Sequence, residues 1–279
     1  MDGRGGALSL AIEAEDPDLL TRAHELAARL GVTSVTVAGS ASGGMEGSGQ
    51  RTRGRSRPVA DAGETAGRLV LSVGRDGLTL RSGTGPAVGA SRSALVPPKG
   101  HGPDPLWRAV LGGEYAVVDA TAGLGGDGFH LAARGAQVTM IERSLVVAAL
   151  LEDALRAAAA GALGPEAAQA AARVRLVVGD ARDVLRAGAL PARETAVVYL
   201  DPMFHAAGRR SLPPKGMALF RALLGPDDVG GEDLLRAARE VASRRVVVKR
   251  HLRSPVLGAA RPSGEIRGRS VRYDLYAPL

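Results

Sequence analysis

Residues 117–130 read VVDATAGLGGDGFH. Two valines run into Asp119, and Gly123, Gly125 and Gly128 then fall at the spacing G-x-G-x-x-G. With 38 glycines in 279 residues, spacing alone decides little. Position decides more. The apolar run AVVDA (116–120) predicts a strand and GFHLAARG (128–135) a helix, so the glycines occupy a strand-to-helix turn of the nucleotide-binding kind. The next run, AQVTMIE (136–142), predicts a second strand ending on Glu142, where a carboxylate can hydrogen-bond a ribose. A cofactor carrying an adenosine is implied.

Asp119 narrows the choice. In a pyrophosphate-binding turn the first glycine follows the strand directly, so that backbone N–H groups approach the phosphates. Here a carboxylate ends the strand, four residues before Gly123. It would repel a pyrophosphate and attract an ammonium or sulfonium group. S-adenosylmethionine has an α-amino group and no phosphate. The pattern D-x-x-x-G-x-G, followed by an acid at the next strand end, resembles the class I methyltransferase signature. Asp180 ends a third predicted strand within VVGDA (177–181), where that class often places an acid against adenine.

Outward from this turn, strands and helices alternate. SLVVAALLEDALRAAAAGAL (144–163) predicts a long helix, VRLVVGD (174–180) a strand and ARDVLRAG (181–188) a short helix. AVVYLD (196–201) is a strand, 233–243 a helix, RRVVVKR (244–250) a strand and SVRYDLYA (270–277) a final strand. The expected fold class is α/β: a Rossmann-like class I methyltransferase sheet, mostly parallel and flanked by helices, over residues 99–279. Ligands of such sheets bind at the carboxyl ends of the strands.

Residues 1–98 predict a small N-terminal α+β domain. ALSLAI (7–12) and VTSVTVAG (32–39) read as strands. Between them Asp16 is an N-cap, Pro17 takes the first helical position, and Leu19, Leu20, Ala23, Leu26, Ala27 and Leu30 form a helical stripe that Gly31 ends. RLVLSVGRDGLTLRSG (68–83) predicts a hairpin around Gly74–Gly77. The Gly/Ser/Arg-rich stretch 39–67 reads as a flexible insertion, and 84–105 as a linker.

The strand at 196–201 runs on as Asp201-Pro202-Met203-Phe204. This looks like the D/N-P-P-Y/F motif of amino-methyltransferases that act on nucleobases, with Met203 in place of the second proline. An exocyclic amine is a poor nucleophile because its lone pair is delocalised into the ring. A carboxylate (Asp201) and a backbone carbonyl that accept its two N–H bonds favour a more nucleophilic geometry. Pro202 fixes the backbone that presents the carbonyl. Phe204 can stack on the base, which is worth roughly 1–3 kcal/mol. The remainder is positioning for in-line attack. Asp201, Pro202 and Phe204 are the expected catalytic residues. Arg209, Arg210 and Lys215 follow that motif, and Lys249 and Arg250 end a strand at the same sheet edge. All five are expected to meet RNA phosphates.

Taken together, DATAGLG-x-D, MIER-x-x-VVAALL, YLDPMF and VVVKR resemble the ribosomal RNA small subunit methyltransferase J family over roughly residues 95–279. The resemblance implies methyl transfer from S-adenosylmethionine to the N2 amine of a guanosine in 16S rRNA, free or in the small ribosomal subunit. It also implies cofactor contacts at Gly126-Asp127, Glu142-Arg143, Asp180-Ala181 and Asp201, beside Asp119, Gly123 and Gly125. The family commonly has Arg where Gly126 stands, and often a pair of Ser at Asp180-Ala181. It usually continues Pro-His and a Lys-rich loop where this chain has His205-Ala206-Ala207-Gly208-Arg209-Arg210.

Bulk composition agrees. Hydrophobic residues make up 45%, enough for a core, while aromatics are only 3%, so the core is mainly Ala, Val and Leu. The net charge of +7 points to a polyanionic partner. With no cysteine, disulfides, thiolate metal sites and a Cys nucleophile are excluded. His130 and His205 have no metal-ligand spacing, so no metal is expected. Acidic residues stand where a signal peptide would be apolar, and no long apolar run suits a membrane span. A cytoplasmic location is expected; no feature sets an oligomeric state. Three other readings stand beside this one: an amino-methyltransferase on another nucleic-acid base or a protein amide, an NAD-dependent oxidoreductase, and a non-catalytic RNA-binding protein. Asp119 opposes the oxidoreductase. Asp201-Pro202 and Phe204 oppose the pure binder.

Overall fold

The computed structural model describes residues 9–38, 68–82, 95, 104–188, 190, 195–202 and 230–279. They belong to two compact units, one within Met1–Gly89 and one within Ala90–Leu212 and Leu224–Leu279.

In the first unit, β1 (Ser9–Ala14), β2 (Val35–Val37), β3 (Arg68–Gly74) and β4 (Gly77–Ser82) form a sheet in the order β2-β1-β3-β4. Asp16 caps the turn before α1 (Leu20–Leu30) by accepting from the Asp18 N–H at 2.9 Å. Gly31, at φ 66°, ends α1 as the sequence predicts. The hairpin also forms, with Gly74 paired to Gly77.

The second unit holds a sheet of seven strands in the order β10-β11-β9-β8-β5-β6-β7. These are β5 (Val117–Asp119), β6 (Val138–Glu142), β7 (Val174–Val178), β8 (Val197–Leu200), β9 (Arg245–His251), β10 (Gly264–Arg267) and β11 (Val271–Tyr276). β7, β6, β5, β8 and β9 run parallel, and β11 and β10 add an antiparallel edge. The helices are α2 (Pro105–Ala109), α3 (Gly126–Ala133), α4 (Leu145–Ala159), α5 (Pro165–Ala171), α6 (Ala181–Arg186) and α7 (Gly231–Val241). The α/β class is as expected. The long helix predicted over 144–163 ends at Ala159, where Gly161, at φ 82°, turns the chain, and Pro165 then opens α5, a helix the sequence reading did not include. Two other short elements, α2 and β10, go beyond the sequence reading.

β5, β6 and β8 are buried on both faces, which is why their residues are apolar without alternation. One face packs Val118, Val198, Leu200, Val246 and Val248 with Leu185 of α6 and Leu234 and Leu235 of α7. Alternate residues point the other way, toward α3, and among them are Asp119, Glu142 and Lys249.

Candidate active site

Strand register assembles the first cluster. Asp119 pairs with Tyr199 across β5 and β8, and Leu200 pairs with Val248 across β8 and β9. The next step puts Asp201 level with Lys249. Residues in register share a face, so Asp119, Tyr199, Asp201 and Lys249 project together. Asp127, in the first turn of α3, meets them. Its Oδ2 accepts from Lys249 Nζ at 2.6 Å and from the Tyr199 hydroxyl at 2.5 Å. Lys249 Nζ also lies 3.0 Å from Asp201 Oδ2. Three carboxyl groups gather around one ammonium.

The electrostatics follow from that imbalance. Asp119 is 2% exposed, and burial, reinforced by the charges of Asp127 and Asp201, pushes its carboxyl up to about 8. Burial also raises Asp201, against the pull of Lys249. For Lys249 burial works downward, but Asp201 and Asp127 outweigh it and hold the ammonium above its ordinary range. Burial and then the three carboxylates push the Tyr199 phenol well above its ordinary range, so it acts as a neutral donor. Tyr273, opposite Lys249 in β11, is pushed up to about 12 by burial and by Asp127.

The glycine turn is held to this cluster. The Asp201 N–H donates to Thr121 Oγ1 at 2.6 Å, and the Ala120 N–H donates to the Tyr199 carbonyl at 3.0 Å. Gly125 has φ 81°, and a Cβ there would meet Leu151 Cδ1 at 2.6 Å. A Cβ on Gly128 would meet Met140 Cε at 2.7 Å and Asp119 Oδ2 at 2.9 Å, so only glycine lets α3 lie this close to β6 and Asp119. Gly126 faces open space.

Glu142 stands on the far side of the turn. It is 7% exposed, with Oε2 accepting from the Gly123 N–H at 2.9 Å and Oε1 from the Ser144 N–H at 2.7 Å. Burial raises its carboxyl despite those two bonds. Each oxygen keeps a second lone pair, so ligand hydroxyls can still bind. Val178, paired with Glu142 in the sheet, leaves an apolar surface 40% exposed beside it. Asp180 caps α6, and Arg182 grips it through Nε at 2.9 Å and Nη2 at 2.6 Å, which holds its carboxyl below the ordinary range. Ala181 is buried beneath, and Arg143 is exposed.

Glu142, the glycine turn and the Asp119–Asp127–Asp201 cluster thus lie together at the carboxyl end of the parallel strands. Residues 103–278 match the family described as "Putative SAM-dependent methyltransferase". The ribosomal RNA small subunit methyltransferase J of Thioalkalivibrio sulfidiphilus is 43% identical over 227 residues, 77% of this chain and 87% of that one. The chain belongs to this methyltransferase family. The protein of the same name from Pseudomonas paraeruginosa is 49% identical over 160 residues, 57% of this chain but only 59% of that relative's length. The match to the Laribacter hongkongensis protein spans 56% of its length. The crystal structure of a SAM-dependent methyltransferase from Neisseria gonorrhoeae superposes with a TM-score of 0.63 at 29% identity, covering 96% of each chain.

Lys249 and Arg250, expected as a basic pair closing a strand, lie within β9 on its opposite faces. Successive strand residues face opposite sides. Lys249 is committed to Asp127 and Asp201, while Arg250 is buried on the other face with its Nε donating to the Pro255 carbonyl at 3.0 Å. The sequence reading expected both to meet RNA phosphates; within the chain Lys249 meets two carboxylates and Arg250 a backbone carbonyl. Phe204, Arg209, Arg210 and Lys215 lie outside the described residues, as does the 39–67 stretch. Thr121 and Tyr199 are site residues that sequence reasoning passed over, although both stand inside its motifs. A further cluster also went unread: Asp104 Oδ2 lies 2.5 Å from His130 Nε2 and 3.3 Å from Arg134 Nε, tying α2 to α3. The Asp104-Pro105 pair, a repeat of the Asp16-Pro17 cap, was its legible signal. Among the described residues no group of three or more His, Cys, Asp or Glu side chains suits a metal ion, and no helix is long and apolar enough to cross a membrane.

Proposed function

We propose that this chain methylates the exocyclic N2 amine of a guanosine in 16S rRNA, free or within the small ribosomal subunit. S-adenosylmethionine supplies a methyl group on a positively charged sulfur. Glu142 accepts the ribose hydroxyls, and Gly123, Gly125 and Gly126 leave the turn open to close approach. Asp119 and Asp127 attract the cofactor's cationic end. Arg143, Asp180 and Ala181 border the adenine beside Val178.

One observation carries the reading: the Asp201 backbone N–H is bonded to Thr121 of the cofactor turn. An amine acceptor and a sulfonium-attracting cluster thereby share one fixed frame. Asp201 and the Pro202 carbonyl accept the two N–H bonds of the amine, Phe204 stacks on the base, and the released proton passes to solvent. Arg209, Arg210 and Lys215 hold the flanking phosphates, which makes RNA binding weaken with salt. The name shared by relatives at 43–49% identity supports small-subunit ribosomal RNA as the substrate, and the family resemblance implies the guanosine N2 amine.

The test incubates the purified chain and methyl-labelled S-adenosylmethionine with free 16S rRNA and with small subunits, then digests the RNA to nucleosides. Label in N2-methylguanosine is expected. Label in another methylated nucleoside reassigns the acceptor. No label in either substrate, with S-adenosylhomocysteine bound, overturns the assignment.

A further inference from the structure

Lys249 is placed by register, not by a flexible loop. It sits in the interior of β9, level with Asp201 on the adjacent parallel strand and opposite Tyr273 on the antiparallel one. Its ammonium contacts two carboxylates that come from different elements, Asp127 of α3 at 2.6 Å and Asp201 after β8 at 3.0 Å. Asp127 is held in turn by the Tyr199 hydroxyl. One cation thus joins the carboxylate nearest the glycine turn to the carboxylate proposed to receive the amine.

We propose that Lys249 is a positioning residue that keeps Asp201 ionised and aimed at the acceptor amine by tethering it to Asp127. The inference rests on the amino-methyltransferase reading above and adds a member to its machinery. The chemistry requires such a tether. A carboxylate accepts an amine N–H only when ionised, and Asp201 lies near two other acids in a site that burial makes unfavourable for charge. The described groups facing it are Asp119 of β5, Asp127 of α3, Tyr199 of β8, Lys249 of β9 and Tyr273 of β11, while Arg250 acts on it from the other face of β9. Among the described residues Lys249 is the cation in direct contact. Remove it, and Asp201 takes up a proton at higher pH and loses its fixed direction.

The test uses the full chain with Lys249→Met and Lys249→Arg. The acid limb of the pH–rate profile for methyl transfer is expected to move to higher pH in Lys249→Met by about one unit or more, because a like-charge cluster without its counter-ion protonates sooner. The rate constant kcat should fall on the order of 10²-fold with KM for RNA little changed. Lys249→Arg keeps the charge and should return the acid limb toward its original position. A rise in KM with kcat and the acid limb unmoved, together with a smaller salt dependence of RNA binding, overturns the proposal and makes Lys249 a phosphate ligand. Thermal unfolding supplies a readout without methyl transfer. Lys249→Met should lose more stability at pH 8 than at pH 5, and adding Asp201→Asn should recover part of the loss. Strict additivity of the two substitutions overturns the tether. If the wild-type chain methylates no substrate while this coupling is present, the proposed reaction fails and the Lys249–Asp201 tether stands.

Discussion

Lys249 and Arg250 are neighbours in sequence, yet they enter two kinds of buried charge. On the Arg250 face, Arg272 donates through Nε and Nη2 to Asp274 at 2.7 and 3.2 Å, and through Nη1 to the carbonyls of His251 and Leu252 at 3.0 and 2.9 Å. Glu265 adds a second carboxylate 3.9 Å away. Charges there are matched and hydrogen bonds nearly saturated. On the Lys249 face three carboxyl groups share one ammonium, and one of them, Asp119, is driven to about 8. A matched set is a fixed part of the sheet edge. An unmatched set carries electrostatic free energy that a cationic ligand can release, which is why perturbed carboxylates gather at binding sites.

The contrast predicts different failures. Arg272→Ala leaves Asp274 buried without its partner and should cost about 3–5 kcal/mol of stability. Denaturant midpoints should show that loss, while the remaining folded fraction still binds S-adenosylhomocysteine. If Arg272→Ala proves neutral, the pair is not a structural lock. Asp201→Asn removes charge from the crowded face instead. Methyl transfer should drop on the order of 10²-fold or more, with cofactor binding by calorimetry nearly retained. Equal loss of both would mean that Asp201 serves the cofactor alone.

Asp119→Asn separates stability from binding. In the folded chain Asp119 keeps its proton to about pH 8, whereas an ordinary aspartate releases it near 3.8. The folded state therefore binds the extra proton across that window, and wild-type stability falls as pH rises through it. The Asn variant should have a higher Tm than wild type at pH 8, with the gain shrinking toward pH 4, and it should bind S-adenosylmethionine more weakly. A gain in Tm with unchanged cofactor affinity would show that the crowded face is only a defect. The smallest effect is expected at Arg182→Ala. That part-exposed pair with Asp180 should contribute less than about 1 kcal/mol to stability, and cofactor affinity should shift by only a few-fold.

The sheet was largely legible because its period is local. VVD, TMIE and VVYLD are short apolar runs that each end on an acid, and Glu142 and Asp201 stand where the runs said. The short pieces were less legible. β10 is four residues of mixed polarity, GEIR, and forms only because β11 offers it a partner. The contacts of Lys249 were illegible for a related reason. VVVKR shows two basic residues at a strand end, but which faces the site depends on the pairing of Leu200 with Val248, a relation between strands almost fifty residues apart. Their place at a strand end suggested one shared role, and tertiary register puts them on opposite faces. Tyr199 reads as one more apolar residue of a central strand until Asp127 appears opposite its hydroxyl.

Thr121 grips Asp201 by its backbone N–H, so the peptide at 201 is held separately from the side chain that Lys249 holds. The anchor lies ahead of Pro202, on the sheet side of the chain. Any segment grafted after Pro202 inherits the same point of departure, whatever its length or composition. In the reaction proposed above, the place of the carboxylate is thereby set upstream of the segment proposed to meet the acceptor. Exchanging the residues after Pro202 is expected to leave the peptide at 201 where it stands.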